Sequence, residues 1–403
     1  MRQNRLAVAI VADDLTGALD TSAPFAAHGL DTRLTFPFGA FSRHIDAGAK
    51  VVALTTESRH LPADAAADCV KAAIRTLAPL KPDFVFKKID SMLRGNIAAE
   101  TLAAMMATGR RHAIIAPAVP VQNRTMRGGT VYVNGLRLAG SDSDNGVEAE
   151  MPASAHLPEL LGRARCLQIH LVPAGQRPTL ATGLGLHAYV ADVASEADLD
   201  TLAQFVIQLS PEILPVGASG LARALARGMG ATAPVQMPHV GPGALLFVIG
   251  STREVSGAQI AALRAAGAAD IAIPIGPRAN LDALLDLSSR QCAASFLVVR
   301  PESTDRGGVS AGEMAVRLGR VAMALVRQLR PSAIAMAGGD TAAACLGLAG
   351  AECLQVLGEL HDGIAFGTAL AGSGAMPFFT KSGSFGPQDT WVRLAALLRH
   401  PTL

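Results

Sequence analysis

The chain has 403 residues, half of them hydrophobic and 17% charged, with a net charge of +2. That length implies two domains, and the composition excludes intrinsic disorder. With aromatics at only 4% and no Lys/Arg-rich run, nucleic acid is not an expected partner.

Taken in order, the N-terminal apolar run ends after seven residues at Asp13-Asp14. That reads as a buried strand rather than a signal peptide. The first half then repeats one rhythm: a short apolar run, a loop, and a segment with helical period. AVAIVADD leads into TGALDTSAPFAAHG, VVALTTES into PADAAADCVKAAIRTLAPL, and FVFKKIDS into NIAAETLAAMMATG, followed by HAIIAPAV. Apolar runs without alternation, interleaved with helices, predict parallel strands buried on both faces. Residues 139 to 156 carry turn formers and acids and read as an exposed excursion. The rhythm resumes at CLQIHLV, HAYVADV, a helix from Ala194 to Leu209, and PVGASGLARALARGMG.

Residues 229 to 243 hold three Pro, three Gly and no charged residue, which suits a linker. A second series follows: LLFVIG, VSGAQIAALRAAG, DIAIPI, SFLVVRP, GEMAVRLGRVAMALVRQLR, SAIAMAGG, DTAAACLGLAG, MPFFTKSGSFG and a closing helix. The expected fold is α/β: two α/β domains with mainly parallel sheets and an active site in the interdomain cleft. The domains are expected at 1–228 and 244–403, joined by 229–243. The uncharged stretch from Gly363 to Thr380 is too broken by Gly, Ser and Thr to span a membrane. Five scattered cysteines without a CxxC pair suggest neither disulfides nor zinc, and fit a reducing cytoplasm.

In open parallel sheets, ligands sit at the carboxyl ends of strands, so the loops there carry the functional candidates. The first strand ends at Asp13-Asp14, paired carboxylates able to hold a cation or accept a hydroxyl proton, although Asp14 could equally cap the next helix. Lys87 through Asn96 pack three cations, a carboxylate, a hydroxyl and an amide into ten residues. Lys88, Asp90, Ser91 and Arg94 there suit a carboxylate or phosphate partner, with Arg59 as a further cation. The alternative is solvated charge with Asn96 as a cap. The loop from Pro120 to Gly135, with Arg124 and Arg127, suits either a ligand contact or an ordinary hairpin. In the second half, Gly250-Ser251-Thr252, Gly338-Gly339-Asp340-Thr341 and Lys381 to Gly386 are small-residue turns at strand ends, two of them leading into helices, which favours phosphate binding. A GxxxxGK[ST] loop, a complete GxGxxG fingerprint and HExxH are missing, and no GxSxG elbow follows any strand. This excludes a P-loop kinase and argues against a Rossmann dehydrogenase, a zinc hydrolase and an α/β-hydrolase.

In this order, ADDLTGALD, KKIDSMLRGN, NRTMRGG, YVNG, VGASGLA, GSTREVSGAQI, AGGDTA and KSGSFG resemble the four-carbon acid sugar kinase family of threonate, erythronate and 3-oxo-tetronate kinases. The sequence departs from the family pattern at Met92, at Asn123 (a glycine position), at Arg253 and at Ser382. The resemblance implies an N-terminal domain that binds the sugar acid through Asp13, Asp14, Arg59, Lys88, Asp90, Ser91 and Arg94. It implies a C-terminal domain that binds ATP, with Mg2+, through Ser251, Gly338, Gly339, Asp340, Thr341 and Gly383. Asp14 or Asp90 would accept the hydroxyl proton, while Arg59, Lys88 and Arg94 would neutralise the substrate carboxylate. The expected partners are the sugar acid and ATP, without nucleic acid or membrane, and a homo-oligomer is compatible with the sequence. Two other classes remain open: an NAD-dependent oxidoreductase of a hydroxy acid, and a non-enzymatic two-lobed small-molecule binding protein.

Overall fold

A computed structural model describes residues 6–35, 48–138, 152–230, 236–274, 295–303, 308–360, 363–371, 374–383 and 385–399. Most of the acidic excursion, the middle of the expected linker and Ser384 lie outside the described residues. The chain separates into two compact units, 1–235 and 236–403.

The first unit runs β1 (Val8–Ala12), α1 (Leu15–Ala27), β2 (Thr32–Thr35), β3 (Val51–Thr55), α2 (Ala63–Leu77), β4 (Phe84–Lys88), α3 (Ile97–Thr108) and β5 (His112–Ala116). There follow β6 (Arg124–Arg127), β7 (Thr130–Val133), β8 (Leu136–Arg137), α4 (Leu157–Leu161), β9 (Leu167–Val172), β10 (Leu186–Ala191), α5 (Glu196–Gln208), β11 (Ile213–Gly217) and α6 (Ser219–Gly228). Its main sheet is wholly parallel, in the order β2-β3-β1-β4-β11-β5-β10-β9. Every residue of β1, β3, β4 and β11 is buried, which is why these strands read as unbroken apolar runs. The order reverses at β1 and β4: the chain leaves β1 toward β2 on one side and β4 toward β5 on the other. Such a switch point opens a crevice at the carboxyl ends of the two strands. The Pro120–Gly135 loop is an antiparallel appendage, β6-β7-β8, separate from this sheet.

The second unit runs β12 (Leu245–Ile249), α7 (Glu254–Ala265), β13 (Ala269–Ile273), β14 (Phe296–Pro301), α8 (Ala311–Leu329), β15 (Ala333–Ala337), α9 (Gly339–Leu348), β16 (Ala351–Leu360), β17 (Ile364–Ala371), β18 (Gly374–Lys381) and α10 (Thr390–Arg399). Strands β13-β14-β12-β15-β18 are parallel, and β17 and β16 then continue the sheet antiparallel. Here the order reverses between β12 and β15. Phe247, Phe366, Phe379 and Trp391 centre the core, and Ser310 and Glu313 close a capping box at the start of α8.

The antiparallel pair β16–β17 is a departure from the sequence reading. Its glycines and its partly exposed alternate positions mask the strand pattern, and the stretch 363–380 reads as broken for the same reason. No described helix is long and apolar enough to cross a membrane.

Candidate active site

The first strand-end loop is organised by Asp14. It stands at the N-cap of α1, where Oδ1 accepts from the Gly17 amide at 3.0 Å, so the capping role is real. The same carboxylate also takes a fork of hydrogen bonds from Arg59, which follows β3: Nη1 to Oδ2 at 2.9 Å and Nη2 to Oδ1 at 2.7 Å. Arg59 Nε donates to Asp13 Oδ2 at 2.7 Å, so one guanidinium clamps both adjacent carboxylates. Lys88 Nζ, at the end of β4, lies 3.9 Å from Asp13 Oδ1. A Cβ at Gly17 would collide with the Asp14 carboxylate and the Lys88 ammonium, so this position keeps the two groups in contact with the first turn of α1.

Asp90 is the third carboxylate. Its Oδ2 accepts from the amides of Met92 and Arg94, both at 3.2 Å, and from Arg94 Nε at 2.7 Å. Its Oδ1 accepts from Arg94 Nη2 at 3.0 Å and lies 3.8 Å from Arg59 Nη2. The loop that achieves this turns through Leu93 at φ 59, a left-handed conformation costly for a leucine. Asn96 occupies the N-cap position of α3, but its side chain makes no cap bond. It donates instead to the carbonyls of Leu61 and Ser58, tying the Arg59 loop to the Asp90 loop.

The electrostatics follow from this pairing. Burial alone would raise the Asp13 carboxyl, but the charges of Arg59, then Lys88 and Lys87, outweigh it and hold it down to about 2. For Asp90, burial is likewise overcome by Arg94 and Arg59, and the carboxyl sits well below the usual range. Asp13 Oδ1 is buried with no hydrogen-bond partner, an acceptor lone pair left over inside the cluster.

Two features escaped the sequence reading. Lys87 is fully buried, 2.7 Å from Glu100 Oε2, and Glu100 Oε1 accepts from Ser58 Oγ at 2.7 Å. The visible signal was a single carboxylate inside the apolar segment NIAAETLAAMMATG. Arg124 is the other: the sequence marks it only within a loop suited to a ligand contact or an ordinary hairpin, and in the structure its Nη1 donates to Ser91 Oγ. All seven residues expected on the substrate side come together at the ends of β1, β3 and β4.

In the second unit, the turns after β12, β15 and β18 also converge. A Cβ at Gly383 would collide with the side chain of Ser251, and one at Gly338 would lie 3.4 Å from Thr341 Oγ1 and 3.9 Å from the Ser251 amide. Gly338, at φ 105, is the N-cap of α9. It delivers Gly339, Asp340 and Thr341 as a first turn whose amides have no intrahelical acceptor. Asp340 is exposed there and Thr341 buried. Ser256 Oγ donates to the Gly383 carbonyl at 2.7 Å, and Gln259 Nε2 donates to the carbonyls of Phe385, Gly386 and Pro387, fixing the last loop. A groove of about 230 Å³ beside Ser251 is lined by Arg253, Ile260, Arg264, Arg300 and Pro301 among others.

Comparison with known proteins assigns each half separately. Residues 8–225 match a family model described as a sugar-binding N-terminal domain, and residues 246–391 one described as a nucleotide-binding C-terminal domain. A D-threonate kinase of Bordetella bronchiseptica is 33% identical over 97% of both chains. The chain belongs to the four-carbon acid sugar kinase family. Within that family it is also similar to a D-threonate kinase of Cupriavidus necator, 35% identical over 94% of this chain and 95% of the relative. A 3-oxo-tetronate kinase of Burkholderia multivorans is 28% identical over 94% of both. A solved structure from Salmonella typhimurium LT2, provisionally called a tRNA synthase, shares the fold with a TM-score of 0.78 at 21% identity, over 96% of this chain and 98% of that one. The residues built up above divide between the two family models, the carboxylate–cation cluster in the sugar-binding part and the glycine turns in the nucleotide-binding part.

Proposed function

We propose that the protein is an ATP-dependent kinase that phosphorylates the terminal hydroxyl of a four-carbon sugar acid, with D-threonate as its substrate. The observation that carries the substrate is the gradient of similarity: three D-threonate kinases share 30–35% with this chain and four 3-oxo-tetronate kinases 26–30%. The deciding experiment is a coupled ADP-release assay with Mg-ATP against D-threonate, L-threonate, D-erythronate and a 3-oxo-tetronate. Turnover highest on D-threonate supports the reading, and a clear preference for another acid overturns its substrate part.

Phosphoryl transfer needs positioning and charge neutralisation more than covalent help from the protein. In this reading Asp14 receives the hydroxyl proton. It is the most accessible of the three carboxylates, its side chain 15% exposed against 3% for Asp13 and 8% for Asp90. Asp90 already accepts four hydrogen bonds and serves as the keystone of its loop. Arg59 orients Asp13 and Asp14, Lys88 adds its charge beside Asp13, and Ser91 offers its hydroxyl to the substrate. On the nucleotide side, the first-turn amides of α9 and the Ser251 turn suit phosphate, Gly383 keeps that turn accessible, and the groove beside Ser251 suits the nucleoside.

Mg2+ is the cation expected with ATP. It favours one or two carboxylates together with phosphate oxygens and water. The residues present fit that arrangement: exposed Asp340 offers one carboxylate in the turn proposed to face the phosphates. Bound there, Mg2+ would neutralise phosphate charge. The reducing, ATP-supplied cytoplasm is the compartment that suits this chemistry.

A further inference from the structure

The cations expected to receive the substrate carboxylate are already engaged. Arg59, Lys88 and Arg94 each lie 3.9 Å or less from Asp13, Asp14 or Asp90. A guanidinium or ammonium paired in this way can orient a substrate but has little charge left to recognise an incoming anion. Arg124 differs. Its Nη1 donates to Ser91 Oγ, a neutral group, and among the described residues no carboxylate comes within ion-pair distance of it. It is half-buried, and burial pulls its guanidinium below the ordinary value, with the more distant Asp90 and Asp20 opposing. A half-buried cation without a counter-ion is costly unless an anion arrives.

The backbone shows that this placement is built. Between β5 and β6 the chain turns through Asn123 at φ 53, the left-handed region that Asn tolerates better than most side chains. The Arg124 amide then donates to the Val119 carbonyl at 3.2 Å, and the Val119 amide donates to the Arg124 carbonyl at 2.8 Å. Arg124 thus starts β6 on a backbone clamped to the end of β5. Ser91 accepts from Arg124 and keeps its own O–H to donate, so the pair presents guanidinium N–H groups and one hydroxyl to the same ligand.

We propose that Arg124, seated on Ser91, is the receptor for the substrate carboxylate and the residue that selects sugar acids over neutral polyols. A planar fork of N–H donors matches both oxygens of a carboxylate and its charge, whereas the CH2OH end of a polyol offers a single neutral oxygen to accept from it. This assignment rests on the sugar-acid reading above and shifts carboxylate recognition from Arg59, Lys88 and Arg94 to the appendage.

The test is calorimetric binding of D-threonate and of threitol, without ATP, to the wild type, Arg124→Met and Arg124→Lys, each checked by circular dichroism and melting. The expected result is a preference for D-threonate over threitol that falls at least about 30-fold in Arg124→Met, with partial recovery in Arg124→Lys. In the coupled assay the loss should fall mainly on KM for the acid. Unchanged D-threonate affinity in a folded Arg124→Met would overturn this inference alone. Equal losses for both ligands would also overturn it, because they would mark a structural role. A wild type that binds none of the four-carbon acids would overturn the substrate reading as well.

Discussion

Lys87 and Glu100 form an ion pair of 2.7 Å in which neither side chain reaches solvent. Lys87 also donates to the Lys88 carbonyl at 2.6 Å, and Glu100 also receives Ser58 Oγ. The pair therefore underpins the two loops that carry Arg59 and Lys88. Removing one partner leaves the other charged and buried, which costs about 3–5 kcal/mol. Glu100→Leu should lower stability by that order in urea unfolding, whereas the double change Lys87→Met with Glu100→Leu should recover most of it. A double variant no more stable than the single one would show that the pair acts through more than its charges.

The three carboxylates should separate kinetically. Asp14→Asn should lower kcat by about 100- to 10,000-fold if that group takes the hydroxyl proton. It should also lower the melting temperature, because Asn can still cap α1 but no longer balances the charge of Arg59. Asp90→Asn should instead loosen the Met92–Arg94 turn, lowering the melting temperature and raising KM for the acid. Full kcat in Asp14→Asn would remove it from proton transfer.

Gly383→Ala places a methyl group against Ser251. The nucleotide turns must part to accept it, so KM for ATP should rise about 10-fold or more, a loss of roughly 1.4 kcal/mol. Sugar-acid affinity measured without ATP should not change. Unaltered ATP kinetics would mean that the turns yield freely or that phosphate binds elsewhere.

The pH dependence of stability has a definite sign. The Asp13 carboxyl is held down to about 2 in the folded chain against near 3.9 when unfolded, a difference worth about 2–3 kcal/mol. Because the folded value is depressed, the stabilisation is complete above about pH 4 and is lost as pH falls toward 2. Asp13→Asn should be less stable at neutral pH and should show a shallower fall in unfolding free energy between pH 5 and 2. Parallel curves for variant and wild type would count against the depressed value.

Much of this was legible in the residues because the site is assembled from strand ends. A buried parallel strand announces itself as an unbroken apolar run, so Asp13, Arg59, Lys88 and Gly338 were marked by the place where each run stops. Glu100 and Arg124 were harder. Glu100 matters through Lys87, from a different element, and a single carboxylate in a helix carries no local mark of its partner. Arg124 depends on the left-handed turn at Asn123, whose direction cannot be read from residue types alone. The strands β16 and β17 were hidden by glycine, which weakens the pattern that identifies a strand.

The β6-β7-β8 appendage, set apart from the main sheet, carries Arg124, whereas the carboxylates and their clamp stand on β1, β3 and β4. With Arg124 as the proposed receptor, recognition of the acid and transfer of the phosphoryl group would be carried by different pieces of chain. Changes confined to residues 119–137 would then shift which small acids are accepted while leaving the carboxylates at the ends of β1 and β4 in place.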